Sequence, residues 1–87
     1  MFDFDPDKSF SNKLKHKIDF DQAQELWKDP HAIELKVNFP VEERFICIGK
    51  IEDKFWTAVF TKRNDNIRII SVRRARENER DLYEKKQ

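Results

Sequence analysis

A single glycine, Gly49, stands in a chain of 87 residues. Loops that cradle nucleotide phosphates need several closely spaced glycines, so motifs of that kind are excluded. Cys47 is the only cysteine, which rules out an internal disulfide. The two histidines, His16 and His31, have no short metal-ligand spacing, which argues against a structural zinc site and implies no cofactor. Cys47 lies within the apolar run Phe45-Ile46-Cys47-Ile48, a setting that predicts a buried, un-ionised thiol rather than a nucleophile. No run approaches the ~18 apolar residues of a membrane span. No basic start leads into an apolar stretch, as a secretory signal would require. Together these absences predict a protein of the reducing cytoplasm with no membrane contact.

Aromatic residues and charge are abundant. Eight Phe, two Trp and one Tyr supply large buried areas, yet 40% of the residues are charged. Disorder is excluded, because it goes with few aromatics and a large net charge. The length suits one domain over residues 1–87. The net charge is only +1, but it is unevenly placed. Residues 1–43 hold six Lys against ten Asp and Glu, whereas residues 44–87 hold twelve Lys and Arg against seven. All seven arginines (44, 63, 68, 73, 74, 76 and 80) fall in the second half. Guanidinium presents a rigid fork of donors that matches phosphate.

Alternation predicts a short strand at Phe2-Asp3-Phe4. Asp5-Pro6 starts a helix running to about His16, with Asp as N-cap and Pro at its first position. Phe10 and Leu14 are its expected apolar stripe, and Lys8, Asn12 and His16 or Lys15 share a face. A second helix is expected from Phe20 or Asp21 to Asp29-Pro30, burying Phe20, Ala23, Leu26 and Trp27. Strands follow at 32–37, 44–51, 55–63 and 67–74, separated by breaks at Asn38-Phe39-Pro40, Glu52-Asp53-Lys54 and Asn64-Asp65-Asn66. The last three strands form an antiparallel meander. A polar helix with thin apolar content, Leu82 and Tyr83, closes the chain from Ala75 to Lys86 and is expected to dock weakly or to be completed by a partner. The order predicts an α+β fold: a small antiparallel sheet with two N-terminal helices and one C-terminal helix.

For chemistry the sequence offers a basic and aromatic constellation. Strict alternation places Arg68, Ile70, Val72 and Arg74 on one face of the last strand, and Ile67, Ile69, Ser71 and Arg73 on the other. Trp56, Ala58, Phe60 and Lys62 share a face that is core or a base-stacking platform, with core the better reading. Metal-free RNA cleavage needs a base, an acid and cations where charge develops. Arg44, Arg68, Arg73 and Arg74 are candidate phosphate clamps. His16 is the candidate for proton transfer, or a helix-capping histidine. Glu43 either orients Arg44 or forms a rim ion pair, and His31 is a loop residue.

The elements Phe2-x-Phe4-Asp5-x-x-Lys8-x-x-x-Asn12-x-x-Lys15-His16, Phe20-x-x-Ala23, Asp29-Pro30, Glu43-Arg44, Ile48-Gly49, Arg68-Ile69-Ile70-Ser71-x-Arg73-Arg74-Ala75 and Glu79-Arg80-x-x-Tyr83 occur in this order. In this the chain resembles the BrnT toxin family. It departs at Phe4, where the family usually has Trp, at Lys17, where Gly is common, and at Val72, a frequent Ala. The resemblance implies a RelE-like fold and a ribonuclease that arrests translation. It also implies a BrnA-type antitoxin that forms a hetero-oligomer with the toxin, with DNA engaged only through that complex. Carried over by position, Lys8, His16, Arg44, Arg68, Arg73 and Arg74 are catalytic candidates, and Lys15 and Ser71 are candidates for RNA contact. From the residues alone, a non-catalytic module binding nucleic acid or protein stays open, as does a subunit whose last helix anchors a partner through Leu82 and Tyr83.

Overall fold

The computed structural model describes residues 1–38, 40 and 42–86; the expected break at Asn38-Phe39-Pro40 lies outside the described residues at Phe39. Strand β1 (Phe2–Phe4) leads into α1 (Pro6–His16), then α2 (Phe20–Ala23), which tightens into a 3-10 helix (Gln24–Lys28). Strands β2 (Ile33–Val37), β3 (Arg44–Ile51), β4 (Lys54–Arg63) and β5 (Asn66–Arg74) follow, and α3 (Glu77–Lys85) ends the fold. The sheet order is β1-β5-β4-β3-β2. Strands β2 to β5 pair antiparallel, as expected of a meander, while β1 joins the edge of β5 in parallel. The expected α+β class is therefore observed. No helix among the described residues is long and apolar enough to cross a membrane.

One face of the sheet carries the main core. Phe20, Ala23 and Leu26 pack there against Cys47, Trp56, Ala58, Phe60, Ile69 and Val72. Trp56 and Phe60 are thus core residues. The second helix does not run as one α-helix to Asp29. Its buried residues Phe20, Ala23 and Leu26 recur every third position, and a period of three is that of a 3-10 helix. Leu26 also explains the lone glycine. A Cβ on Gly49 would lie 3.0 Å from Leu26 Cδ2, so the strand and the 3-10 helix meet only over a bare backbone.

Helix α1 departs from its expected orientation. Phe10 and Leu14 are 66% and 64% exposed, and the buried residues are Ser9 and Asn12. The cause is the edge of β5. Strand β1 pairs only Ile67 to Ile69, which leaves the backbone of Val72 without a strand on the side away from β4. Unpaired buried backbone groups are costly, and a short polar side chain satisfies them where an apolar one cannot. The Asn12 amide donates to the carbonyls of Val72 (2.9 Å) and Ile18 (2.8 Å), and its oxygen accepts from the Val72 N–H (3.2 Å). Ser9 Oγ accepts from the Phe20 N–H at 2.9 Å and fixes the next element. The helix ends at Lys17, which takes the left-handed cap conformation (φ 69°) despite its side chain.

These contacts give two expectations for urea denaturation. Asn12→Ala strands three buried bonds and should lower stability by about 2–3 kcal/mol. Lys17→Gly removes the Cβ penalty of the left-handed cap and should raise it by about 1 kcal/mol.

Candidate nucleic-acid interface

A bulge in β5 decides which arginines meet. Phe60 pairs with Ile69 but Val59 pairs with Ser71, so Ile70 is an extra residue. Strict alternation, which grouped Arg68 with Val72 and Arg74, is corrected by that insertion. Ile69 and Val72 both face the main core, while Arg68, Ser71 and Arg73 share the opposite face.

Cross-strand register lays that face out in rows. Asp3, Arg68 and Thr61 form one, and Arg44, the residue before the Phe45–Phe60 pair, continues it on β3. Ser71, Val59 and Ile46 form the next, and Arg73, Thr57 and Ile48 the third. With strands ~4.8 Å apart and ~3.3 Å per residue, the backbones of Arg44 and Arg68 are about 10 Å apart and those of the Arg68 and Arg73 rows about 13 Å. Four of the candidate residues (Arg44, Arg68, Ser71 and Arg73) therefore come together. A groove of about 300 Å³ opens here, lined by Val37, Ile46, Val59, Arg73, Arg76 and Glu79. Thr61 is 2% exposed, and its Oγ1 has no hydrogen-bond partner among the described residues.

Each arginine of this face lies beside a carboxylate. Arg68 bonds Asp3 at 2.7 Å, and Arg44 Nε stands 3.9 Å from Glu42. Of the two expectations for Glu43, the rim ion pair is the one observed: it pairs with Lys36 at 2.6 Å rather than orienting Arg44. Arg73 makes a bidentate pair with Glu79 of α3 (2.8 and 2.9 Å). The Glu79 carboxylate also accepts from the Thr57 hydroxyl (2.9 Å) and the Arg76 N–H (2.8 Å). Burial pushes this carboxyl's pKa up, but the bonds from Arg73, Arg76 and Thr57 outweigh it and hold the group at about 2. The same pair raises the pKa of Arg73.

Helix α3 is thereby fastened by polar bonds rather than left to dock weakly. Its second fastening is Tyr83, which packs on Ile33 and Ile48, meets Phe55 edge-on and donates its hydroxyl to Asp29 at 2.8 Å. Burial and the Asp29 charge push the tyrosine up to about 12. Of the two expected partner anchors, Tyr83 is turned into its own chain and Leu82 is 40% exposed. Asp29 also accepts from the N–H groups of His31 and Lys50. Burial pushes its pKa up, but these bonds prevail and lower it. A larger cavity of about 620 Å³ adjoins this residue, lined in part by Lys28, His31, Lys50 and Glu52, but it contains none of the arginines. His31 lies in the turn, as expected.

The remaining candidates lie elsewhere. Arg74 falls on the core side, its guanidinium 5.3 Å from the Trp56 ring centroid. Lys8, Lys15 and His16 are on α1. At about 100° per residue, Lys8 and Lys15 lie on one side of Asn12, and His16 and Lys13 on the other. Lys13 bonds Gln22 of α2, so its side faces α2. Lys8 and Lys15 thus occupy the flank of α1 away from α2, along the edge of β5, whereas His16 is on the α2 flank. Lys17 and Ile18, just beyond, line a pocket with Trp56, which puts this end of α1 near Arg74. Cys47 is buried, as expected, and that burial, with the nearby charges of Glu34 and Asp29, pushes its thiol up to about 12.

Sequence reasoning gave no role to Glu79, Thr57, Thr61 or Asp3. A signal existed for Glu79, because it stands three residues after the start of a helix, where an acid reaches back to the capping backbone.

Arginines and hydroxyls spread over one sheet face, with an apolar strip between them, are groups whose chemistry suits a polyanion such as a nucleic-acid backbone. The family comparison narrows this class. A model described as "Ribonuclease toxin, BrnT, of type II toxin-antitoxin system" matches residues 4–79, and the chain belongs to that family. A type II system pairs its toxin with a protein antitoxin. A search of curated proteins gave no match.

Since the folded pKa of Glu79 lies below its usual 4.5, its contribution is full above pH 4.5 and is lost as pH falls toward 2. On the order of 3 kcal/mol should disappear across that window in urea midpoints, and Glu79→Gln should flatten the slope.

Proposed function

We propose that the chain is a metal-independent endoribonuclease of the bacterial cytoplasm that arrests translation by cutting RNA. A BrnA-type antitoxin neutralises it in a hetero-oligomer, and DNA is reached only through that complex. The observation that carries this reading is the face bearing Arg44, Arg68, Ser71 and Arg73 in a chain of the BrnT family. Guanidinium groups fixed before the reaction stabilise the charged phosphorane as it forms.

The arginines do not contribute alike. The Arg68–Asp3 pair is exposed, and such pairs contribute little, so phosphate readily takes the place of Asp3. Arg73 is held by a buried carboxylate and acts by positioning as well as by charge. Lys8 and Lys15, on the flank of α1 along β5, extend the grip. Proton transfer is assigned to His16 or Lys8, with Arg74 stacked on Trp56 as a further cation at the same end of α1 as His16. Leu82 is the exposed partner-facing residue of α3, and Tyr83 holds that helix in place.

A second reading, binding without catalysis, is favoured by one observation: Glu79, the carboxylate bonded to Arg73, is enclosed by four donors and held at about 2, far from the value a general base needs. Fragment formation separates the two readings. Purified protein incubated with single-stranded RNA in excess chelator should release fragments. Arg68→Ala should slow this at least tenfold with an unchanged melting temperature. Arg73→Ala should slow it as well and also destabilise the fold, because Glu79 loses its partner. Intact RNA beside a well-folded protein would establish the binding reading, and cleavage that stops with chelator would remove the metal-free claim.

A further inference from the structure

Among the described residues, helix α1 carries an uncovered apolar ridge. Phe10 and Leu14, four residues apart on α1, are 66% and 64% exposed. By helical geometry both lie nearly opposite Asn12, which is bonded to β5, so they point straight away from the molecule. Isolated exposed apolar residues are ordinary, but two large ones stacked one turn apart form a ridge of the kind that docks in a groove. They also occupy the helix where its core-facing stripe was expected, and the contact with β5 is made by Asn12 and Ser9 instead.

The surroundings of the ridge select its occupant. Between Pro6 and Lys17 there are four lysines (8, 13, 15 and 17) and one acid, Asp7. Lys15 and Lys17 lie on either side of Leu14. A second copy of this chain would bring four lysines against four and is disfavoured by repulsion. An RNA strand would find phosphate partners and one ring to stack on, Phe10, but Leu14 offers no second ring and the arginines lie on another face, so half of the ridge would stay unused. A protein segment with apolar residues at its centre and Asp or Glu at its flanks satisfies both the ridge and the lysines.

We infer that the Phe10–Leu14 ridge of α1 is the docking site of the antitoxin, through an apolar segment flanked by acidic residues. This rests on the reading of the chain as a toxin with a protein partner. Acidic side chains drawn to Lys15 compete there with RNA phosphate, so docking and neutralisation are one event.

The test uses the protein encoded by the gene adjoining this one, purified after co-expression, and the doubly substituted toxin Phe10→Ser, Leu14→Ser. Both residues are exposed, so the variant should fold and cleave RNA like the parent. Its affinity for the adjoining gene's product, measured by titration calorimetry, should fall on the order of 100-fold, as expected for two anchors lost from an interface. Cleavage by the variant should resist amounts of that protein that silence the parent. Lys17→Glu should weaken the complex severalfold at low salt and less at high salt.

Parent and variant binding equally tightly would overturn the inference and leave the antitoxin reading intact. No binding to the parent at all would remove both. A variant that loses RNA binding in the absence of any partner would assign the ridge to RNA. A parent that is dimeric in light scattering, with a monomeric variant, would assign it to a second copy.

Discussion

Between Phe60 and Val59 of β4, strand β5 carries one residue more than its neighbour can pair, and the arrangement of charge in this protein follows from that residue. Val72 faces the core. With uninterrupted alternation, Arg68 would lie on the core side too, four residues earlier and opposite Lys62, where two like charges would meet. The bulge at Ile70 turns Arg68 outward to Asp3 and lets Ile69 and Val72 both enter the core. A bulge next to a free edge needs support, and Asn12 supplies it by closing both backbone groups of Val72. Strand β1 ends where that clamp begins, so the first strand and first helix together finish the edge of the last strand.

Much of this was legible from residue patterns. Period-two runs located every strand, Asp5-Pro6 located the start of α1, and the apolar setting of Cys47 foretold its burial. What could not be read was what one element does to another. Phe10 and Leu14 have the spacing of a core stripe, and nothing local to α1 says that it will lie along a strand edge that needs hydrogen bonds more than apolar contact. The bulge is equally silent in the sequence, because Ile69, Ile70 and Val72 are all good strand residues and any two of them could face inward. Both errors shifted the candidate site: alternation alone divided Arg68 from Arg73, and the pairing with β4 reunites them.

Helix α3 shows how a polar segment can be held firmly by a small protein. Its buried residues are Glu79 and Tyr83. The carboxylate is surrounded by Arg73, Thr57 and the Arg76 N–H, and the phenol reaches Asp29, which in turn ties the 3-10 helix to β3. Such bonds are directional, so they fix α3 at one position over the sheet, which apolar contact alone would not do. The same bonds use up one of the arginines that the sequence had marked for phosphate.

That use divides the labour on the arginine face. Asp3, the partner of Arg68 at the first strand, is exposed and open to displacement, while Glu79, the partner of Arg73, has four donors already in place. On the proposed reading, the RNA backbone is therefore gripped chiefly in the row of Arg44, Thr61 and Arg68. Across β5 the further cations of the proposed path are Lys8 and Lys15, on the flank of α1 that turns away from α2. A strand following these charges leaves the sheet over the one edge that β1 does not cover. Under the proposed function that path meets α1 on the side away from His16, which favours Lys8 over the histidine for the proton transfer.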